Sequence, residues 1–165
     1  MGDATRASAS RRDSKIIAHV CNDAGSWGRG FVLAVSRRWH APEACYRTWH
    51  RQKDGKKVLR PEGCELLLTS GEFSLGQSQL VQVEKGTYVL NMIAQEGFGP
   101  SSGPRVHYGA LALCLVRLED SALLLGADVH MPRIGCGLGG GDWGKVSALV
   151  ERLVSAPTFV YDLPP

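Results

Sequence analysis

No stretch of the sequence approaches the roughly 20 consecutive apolar residues that a membrane span needs. The segment from Met1 to Lys15 is polar and lacks the apolar core of a secretory signal. A cytoplasmic protein with no membrane partner is therefore expected. Cysteine is scarce and poorly spaced for its usual tasks. The five, Cys21, Cys45, Cys64, Cys114 and Cys136, are odd in number, and no pair has metal-site or redox spacing. Neither a disulfide framework nor a zinc site is suggested. Cys21 and Cys114 lie in apolar runs and read as core thiols, whereas Cys136 sits among glycines where a ligand can reach it. An excess of one charge is also lacking: 19 Lys and Arg stand against 16 Asp and Glu, a formal +3. That balance suits a small anionic ligand and falls short of a dedicated nucleic-acid binder, and no basic stripe with interleaved aromatics occurs. The cluster from Arg51 to Lys57 reads as a solvated helix end and loop. There is no internal repeat and no linker. With 165 residues, 44% of them apolar, one domain over 1–165 is expected.

What is present is an alternation of strands and helices. Ile16 to Cys21 is a nearly continuous apolar run, the pattern of a strand buried on both faces in a parallel sheet. A glycine-punctuated loop follows, from Asn22 to Gly30. Helices are expected over 31–39 and over about 42–53, the second opened by Pro42 in a tolerated first-turn position. Residues 54–64 read as loop. Strands are expected over 65–69, 79–83 and 87–94, the last two joined by the turn Lys85-Gly86. A loop rich in Gly, Ser and Pro covers 97–104, and apolar residues then recur at helical spacing from Val106 toward Leu125. A strand over 129–132 empties into a second glycine loop, Asp142 is placed to cap a helix over about 143–154, and 158–162 reads as a last strand. This is the α/β plan, in which ligands sit beyond the carboxyl ends of strands.

The two glycine loops carry the chemistry. The first is Asn22-Asp23-Ala24-Gly25-Ser26-Trp27-Gly28-Arg29-Gly30. The second is Gly135-Cys136-Gly137-Leu138-Gly139-Gly140-Gly141, reached through Pro132-Arg133-Ile134. Without Cβ, glycine lets backbone N–H groups close on an anion, and the helix that follows adds unpaired donors and a favourable dipole. Two such loops at equivalent strand-to-helix positions can grip a diphosphate from both sides. Competing phosphate motifs fail. There is no G-x-x-x-x-G-K-[ST], and neither Gly28-Arg29-Gly30 nor the run from Gly137 completes the dinucleotide fingerprint.

Gly2-Asp3-Ala4-Thr5, His19-Val20-Cys21-Asn22-Asp23 with Gly28-Arg29-Gly30, and Pro132-Arg133-Ile134-Gly135-Cys136-Gly137-Leu138 together resemble the macro domain family over nearly the whole chain. The branch is that of the terminal ADP-ribose glycohydrolase, a chromatin-remodeller macro domain and the DarG antitoxin. The resemblance implies a three-layer α/β/α fold with a mixed central sheet and ADP-ribose in a cleft at its top. It places Asp3 as acceptor for the adenine amino group, a task suited to a carboxylate, with Ala4 beside it. It places Asn22 near the distal ribose and Tyr161 where an aromatic packs beside adenine. Trp27, Gly28, Arg29, Gly30 and Phe31, with Pro132, Ile134, Gly135, Cys136, Gly137, Leu138, Gly139 and Gly140, would line the diphosphate. Members of the family carry a strand before the Gly-Asp motif. Here Met1 precedes Gly2 directly, so either that edge strand is missing or the start lies upstream; if it is missing, Asp3 sits on a loose terminus.

The resemblance also bears on catalysis. The related glycohydrolase relies on a lysine and an aspartate whose positions correspond here to Gln95 and Gly139, so a lysine nucleophile is not supported. Hydrolysis would instead need a placed water, an electrophilic ribose carbon and a stabilised leaving group. Asn22, Asp23 and Gln95 are the polar candidates. Asp23 has two readings, a carboxylate that orients or deprotonates water and an Asx-turn that closes the first loop. Asp142 reads as a helix cap and His19 as a core histidine; His107 and His130 receive no role, and Arg29 pairs with phosphate or an acidic neighbour. Reader domains usually sit fused to an effector. This chain therefore reads as a stand-alone bacterial hydrolase that removes mono-ADP-ribose from acidic protein side chains or DNA bases, with a non-catalytic ADP-ribose reader as the alternative. ADP-ribosylated protein and DNA are the expected partners, a monomer the expected state, and no cofactor or metal is called for. The 97–104 loop is the expected substrate rim.

Overall fold

The computed structural model describes residues 3–6, 12–59, 61–62 and 64–162. Gly2, and with it the question of a preceding edge strand, lies outside the described residues. Six strands form one sheet: β1 (Ser14–Asn22), β2 (Glu65–Thr69), β3 (Ser78–Glu84), β4 (Thr87–Gln95), β5 (Ala127–Pro132) and β6 (Thr158–Tyr161). Their spatial order is β2-β3-β4-β1-β5-β6. β4, β1, β5 and β6 run parallel, while β3 is antiparallel to both β2 and β4, so the sheet is mixed.

The alternation of side chains along the central strands builds two cores. Ile16 and Ala18 of β1, Leu90, Met92 and Ala94 of β4, and Val129 and Met131 of β5 turn to one face. There they meet α3 (Tyr108–Leu125) and α4 (Trp143–Leu153). Ile17 and Cys21 of β1 with Val89 and Ile93 of β4 turn to the other. They meet α1 (Phe31–Arg38) and α2 (Ala41–Arg51) through Val35, Tyr46 and Trp49. Each fully buried aliphatic side chain contributes about 1.5–3 kcal/mol, which fixes β1 and β4 as the rigid centre. The layers are helix, sheet, helix. Among the described residues no helix is long and apolar enough to cross a membrane.

Local signals explain the element ends. Asp142 caps α4 by accepting from Lys145 N at 2.9 Å, and His107 caps α3 by accepting from Ala110 N at 3.0 Å. Pro42 lies in the first turn of α2, and Gly126 closes α3 in the left-handed conformation.

Three features depart from the sequence reading. Ala4–Arg6 forms a 3-10 turn with Ala4 and Thr5 buried, so Asp3 does not hang on a loose end. The expected 54–64 loop begins with a second 3-10 turn, Lys53–Gly55. Cys45 and Cys64 are joined as a disulfide, against the expectation of none. The pair is separated by 19 residues and brought to a Cα–Cα distance of 6.0 Å by packing of α2 against the approach to β2, a proximity that spacing alone does not announce.

Candidate functional site

The carboxyl ends of β1, β4 and β5 lie side by side and deliver both glycine loops to one edge of the sheet. β1 ends at Asn22, whose side chain is committed to its own loop. Its Oδ1 accepts from Ala24 N and Ser26 N, each at 3.0 Å, and its Nδ2 donates to Ser26 O at 2.6 Å. Tyr46 of α2 reaches over and donates to the Asn22 carbonyl at 2.7 Å. Asn22 therefore shapes the loop. Arg47 adds a second clamp, with Nη2 on Trp27 O at 3.2 Å and Nη1 on Gly25 O at 3.4 Å.

Asp23 does not close an Asx-turn; Asn22 makes that turn instead. Asp23 N donates to Gln95 O at 2.9 Å, and Asp23 Oδ1 accepts from Gly97 N at 2.7 Å. Its second oxygen has no hydrogen-bond partner within the protein among the described residues. Gln95, paired with Asn22 across β4 and β1, turns Nε2 to Gly97 O at 3.0 Å and leaves Oε1 beside Gly139. The three polar candidates thus converge, with Asp23 and Gln95 holding unused acceptor oxygens and Asn22 spent on the loop.

The second loop is folded on itself by Gly141 N to Gly135 O at 2.9 Å and Gly140 N to Gly137 O at 3.0 Å. Gly139 O accepts from Arg105 N at 2.8 Å and Val106 N at 3.1 Å, which ties the loop to the end of the 97–104 segment. Gly135 has φ +71°, and a Cβ there would lie 2.8 Å from Val106 Cγ2, so only glycine fits. A Cβ on Gly139 would lie 2.6 Å from Gly135 O, which leaves no room for the aspartate of the related glycohydrolase. Opposite, Gly30 takes φ +79° as the residue that starts α1, and a Cβ on it would stand 3.5 Å from Leu138 Cδ1. The two loops face each other.

Their backbone donors are the important feature. In the first loop the N–H groups of Gly28, Arg29 and Gly30, with Phe31 and Val32 in the first turn of α1, take no protein acceptor among the described residues. In the second the same holds for Gly135, Gly137, Leu138 and Gly139. N–H groups left without a protein acceptor on two facing loops are the arrangement that suits an anion. Gly28, Arg29, Gly30 and Leu138 are exposed on these loops. Pro132 and Ile134 are buried supports, and Trp27 belongs to the core, donating to Ser36 Oγ at 2.7 Å and packed edge-on to His19. Cys136 is half-buried, and burial, with Asp142 nearby, raises its thiol pKa above the ordinary value.

Asp3 accepts from Thr5 N at 2.9 Å and Thr5 Oγ1 at 2.7 Å. Tyr161, at the end of β6, bonds His130 Nδ1 at 2.8 Å. His19 is buried, its Nε2 lies 2.7 Å from Asn91 Oδ1, and burial pushes its pKa down to about 4. It is a neutral core residue. Sequence reasoning missed Arg105, which gathers Gly99 O, Glu96 O and Pro100 O at 3.0, 3.0 and 2.6 Å and so shapes the rim. It also missed Tyr46 and Arg47, whose roles depend on α2 folding back over the first loop.

Two cavities lie elsewhere. One of about 320 Å³ opens beside α2, between Trp49, Phe73, Gln79 and the Cys45–Cys64 bridge. A shallower one of about 490 Å³ lies over Tyr108, Lys145, Leu149 and Arg152. Neither is lined by a residue of the glycine loops.

No family model matches the chain. It is 28% identical over 156 residues to the zebrafish (Danio rerio) chromodomain-helicase-DNA-binding protein 1-like, covering 92% of this chain and only 14% of that protein. It is 25% identical over 170 residues to the ADP-ribose 1''-phosphate phosphatase of Lodderomyces elongisporus, covering 97% of this chain and 94% of that one. A solved protein of unknown function from Bacteroides thetaiotaomicron superposes with TM-score 0.81 at 39% identity, over 98% of this chain and 94% of that one. The solved macrodomain protein of Streptomyces coelicolor superposes with TM-score 0.79 at 44% identity, over 99% of this chain and 96% of the other. With 44% identity over 99% of its length to a solved macrodomain protein, the chain belongs to the macrodomain family.

Proposed function

We propose that this chain binds ADP-ribose, with the diphosphate held between Gly28–Phe31 and Gly135–Gly140, and hydrolyses its attachment to acidic protein side chains or DNA bases. The observation that carries this is the set of unpaired backbone N–H groups from two facing loops at the carboxyl ends of β1 and β5. A diphosphate offers acceptors on both sides and matches such a cradle. Asp3 and Tyr161 would bound the adenine end.

Catalysis in this reading uses a positioned water and no lysine. Asp23 Oδ2 and Gln95 Oε1 are the acceptors left over where β1 and β4 end. The water oxygen bonds to the anomeric ribose carbon as that carbon's bond to the modified carboxylate or base breaks, and the water's proton passes to Asp23. Asn22 acts indirectly by holding the loop. The absence of space for a side chain at Gly139 fits a mechanism that does without an aspartate there.

Incubation with ADP-ribosylated protein and an ADP-ribosylated oligonucleotide tests the reading by which conjugate loses its label. Binding with no label loss would make the protein a reader. The phosphatase named among the relatives, which this chain matches along 94% of its length, favours a second reading. In that case ADP-ribose 1''-phosphate would release inorganic phosphate while both conjugates stay intact.

A further inference from the structure

The outer face of α3 is apolar where a surface helix is ordinarily charged. Leu113, Val116, Leu123 and Leu124 are 56, 45, 61 and 81% exposed on this one helix. Their spacing, with Asp120 between them, puts Leu113, Val116, Asp120 and Leu124 on one stripe, flanked by Leu123 and Arg117. Scattered exposed leucines need no explanation, but a contiguous set marks an interaction surface.

The stripe also carries two charges of opposite sign with no ion pair inside the chain among the described residues: Arg117 and Asp120. Arg117 Nε is buried with no hydrogen-bond partner.

We propose that this face docks on a second copy of itself, α3 against α3, antiparallel about a two-fold axis passing between residues 118 and 119. In such an isologous pair each contact occurs twice. Leu113 meets Leu124 of the other copy and Arg117 reaches Asp120, with Val116 and Leu123 along the same seam. Parallel packing would set Arg117 against Arg117 and Asp120 against Asp120, so the charges select the antiparallel arrangement. The two charges are thus complementary to their own two-fold image, and no partner of different chemistry is needed. The monomer expected from the sequence gives way to a reversible dimer. One helix pair lies at the small end of specific interfaces, so association is concentration-dependent. None of these side chains belongs to either glycine loop, and the proposal stands independently of the ligand reading.

Sedimentation velocity from low micromolar to near-millimolar protein tests it. The unaltered chain is expected to shift from monomer to dimer across that range. Leu124→Glu and Asp120→Lys, both at exposed positions, are expected to stay monomeric with unchanged circular dichroism. Arg117→Glu alone is also expected to be monomeric, while an equimolar mixture of Arg117→Glu and Asp120→Lys chains forms a heterodimer. A chain that stays monomeric at near-millimolar concentration overturns the proposal. So does a dimer that survives Leu124→Glu at undiminished affinity. If Arg117→Glu does not fold, the Asp120→Lys and Leu124→Glu results decide.

Discussion

Gly137 offers a clean separation of binding from folding. An added Cβ there meets nothing within 4 Å, and its φ lies outside the range that demands glycine. Gly137→Glu should therefore leave stability within about 0.5 kcal/mol of the original, as for most surface changes away from special features. Its carboxylate, however, would stand on the exposed part of the loop, where the Gly137 and Leu138 N–H groups have no protein acceptor among the described residues. At roughly 5 Å and an effective dielectric near 20, one added negative charge repels a phosphate charge by about 3 kcal/mol. That corresponds to a loss of affinity on the order of 100-fold. Urea unfolding and calorimetric titration with ADP-ribose on the same preparation measure both quantities. Gly141→Ala is the contrasting control. Its Cβ would lie 2.7 Å from Val106 Cγ1 and 2.8 Å from Gly135 O, so it should lower the melting temperature as well as binding. If Gly137→Glu bound ADP-ribose as tightly as the unaltered protein, the N–H groups of this loop would not be the diphosphate cradle.

Other substitutions and conditions test the surrounding structure. Asp23→Ala, which removes the carboxylate bonded to Gly97 N, should reduce turnover of the cleaved conjugate by at least about 100-fold. Asn22→Ala should act mainly on ligand affinity because its side chain folds the loop; unchanged turnover in both would refute the site assignment. Arg105→Ala frees three loop carbonyls and should raise amide hydrogen exchange over 97–104 with little effect on global stability. Reduction of the Cys45–Cys64 bridge should cost about 3 kcal/mol from restored unfolded-chain entropy, read as a lower urea midpoint, and Cys45→Ala should show no further response to reductant. His19 is neutral in the fold, with its pKa lowered from 6.5 to about 4 by burial. The unfolded chain therefore takes up the extra proton, and stability falls as pH drops from about 6.5 toward 4, then levels off. The full loss is about 3 kcal/mol, and burial of His130 adds in the same direction. A His19→Gln variant should show a flatter pH dependence in urea unfolding.

Much of this architecture was legible because buried parallel strands write themselves as apolar runs. β1 announces itself by such a run, β5 by its place before the second glycine loop, and Gly135 takes the positive φ, +71°, that a glycine-rich loop permits. Asp142 and His19 fell into their structural roles for local reasons, a cap before a helix and an imidazole inside a strand. The remainder depends on contacts between distant segments. Tyr46 donates to the Asn22 main-chain carbonyl from 24 residues away and so pins the end of β1, while the Asn22 side chain is taken up by its own loop. Trp27 lies in a glycine loop by sequence, yet its indole is in the core because Ser36 of α1 offers an acceptor there. The Cys45–Cys64 bridge and the Arg105 clamp arise in the same way. Periodicity reports which face of an element is buried, and it is silent on which loop a long side chain crosses to reach.

The central claim, that the facing loops form a diphosphate cradle, is tested most directly by calorimetric titration of the folded protein with ADP-ribose, with Gly137→Glu in parallel. One-to-one binding that the substitution weakens on the order of 100-fold without altering the unfolding curve is the predicted result. No heat of binding from protein shown to be folded would contradict it.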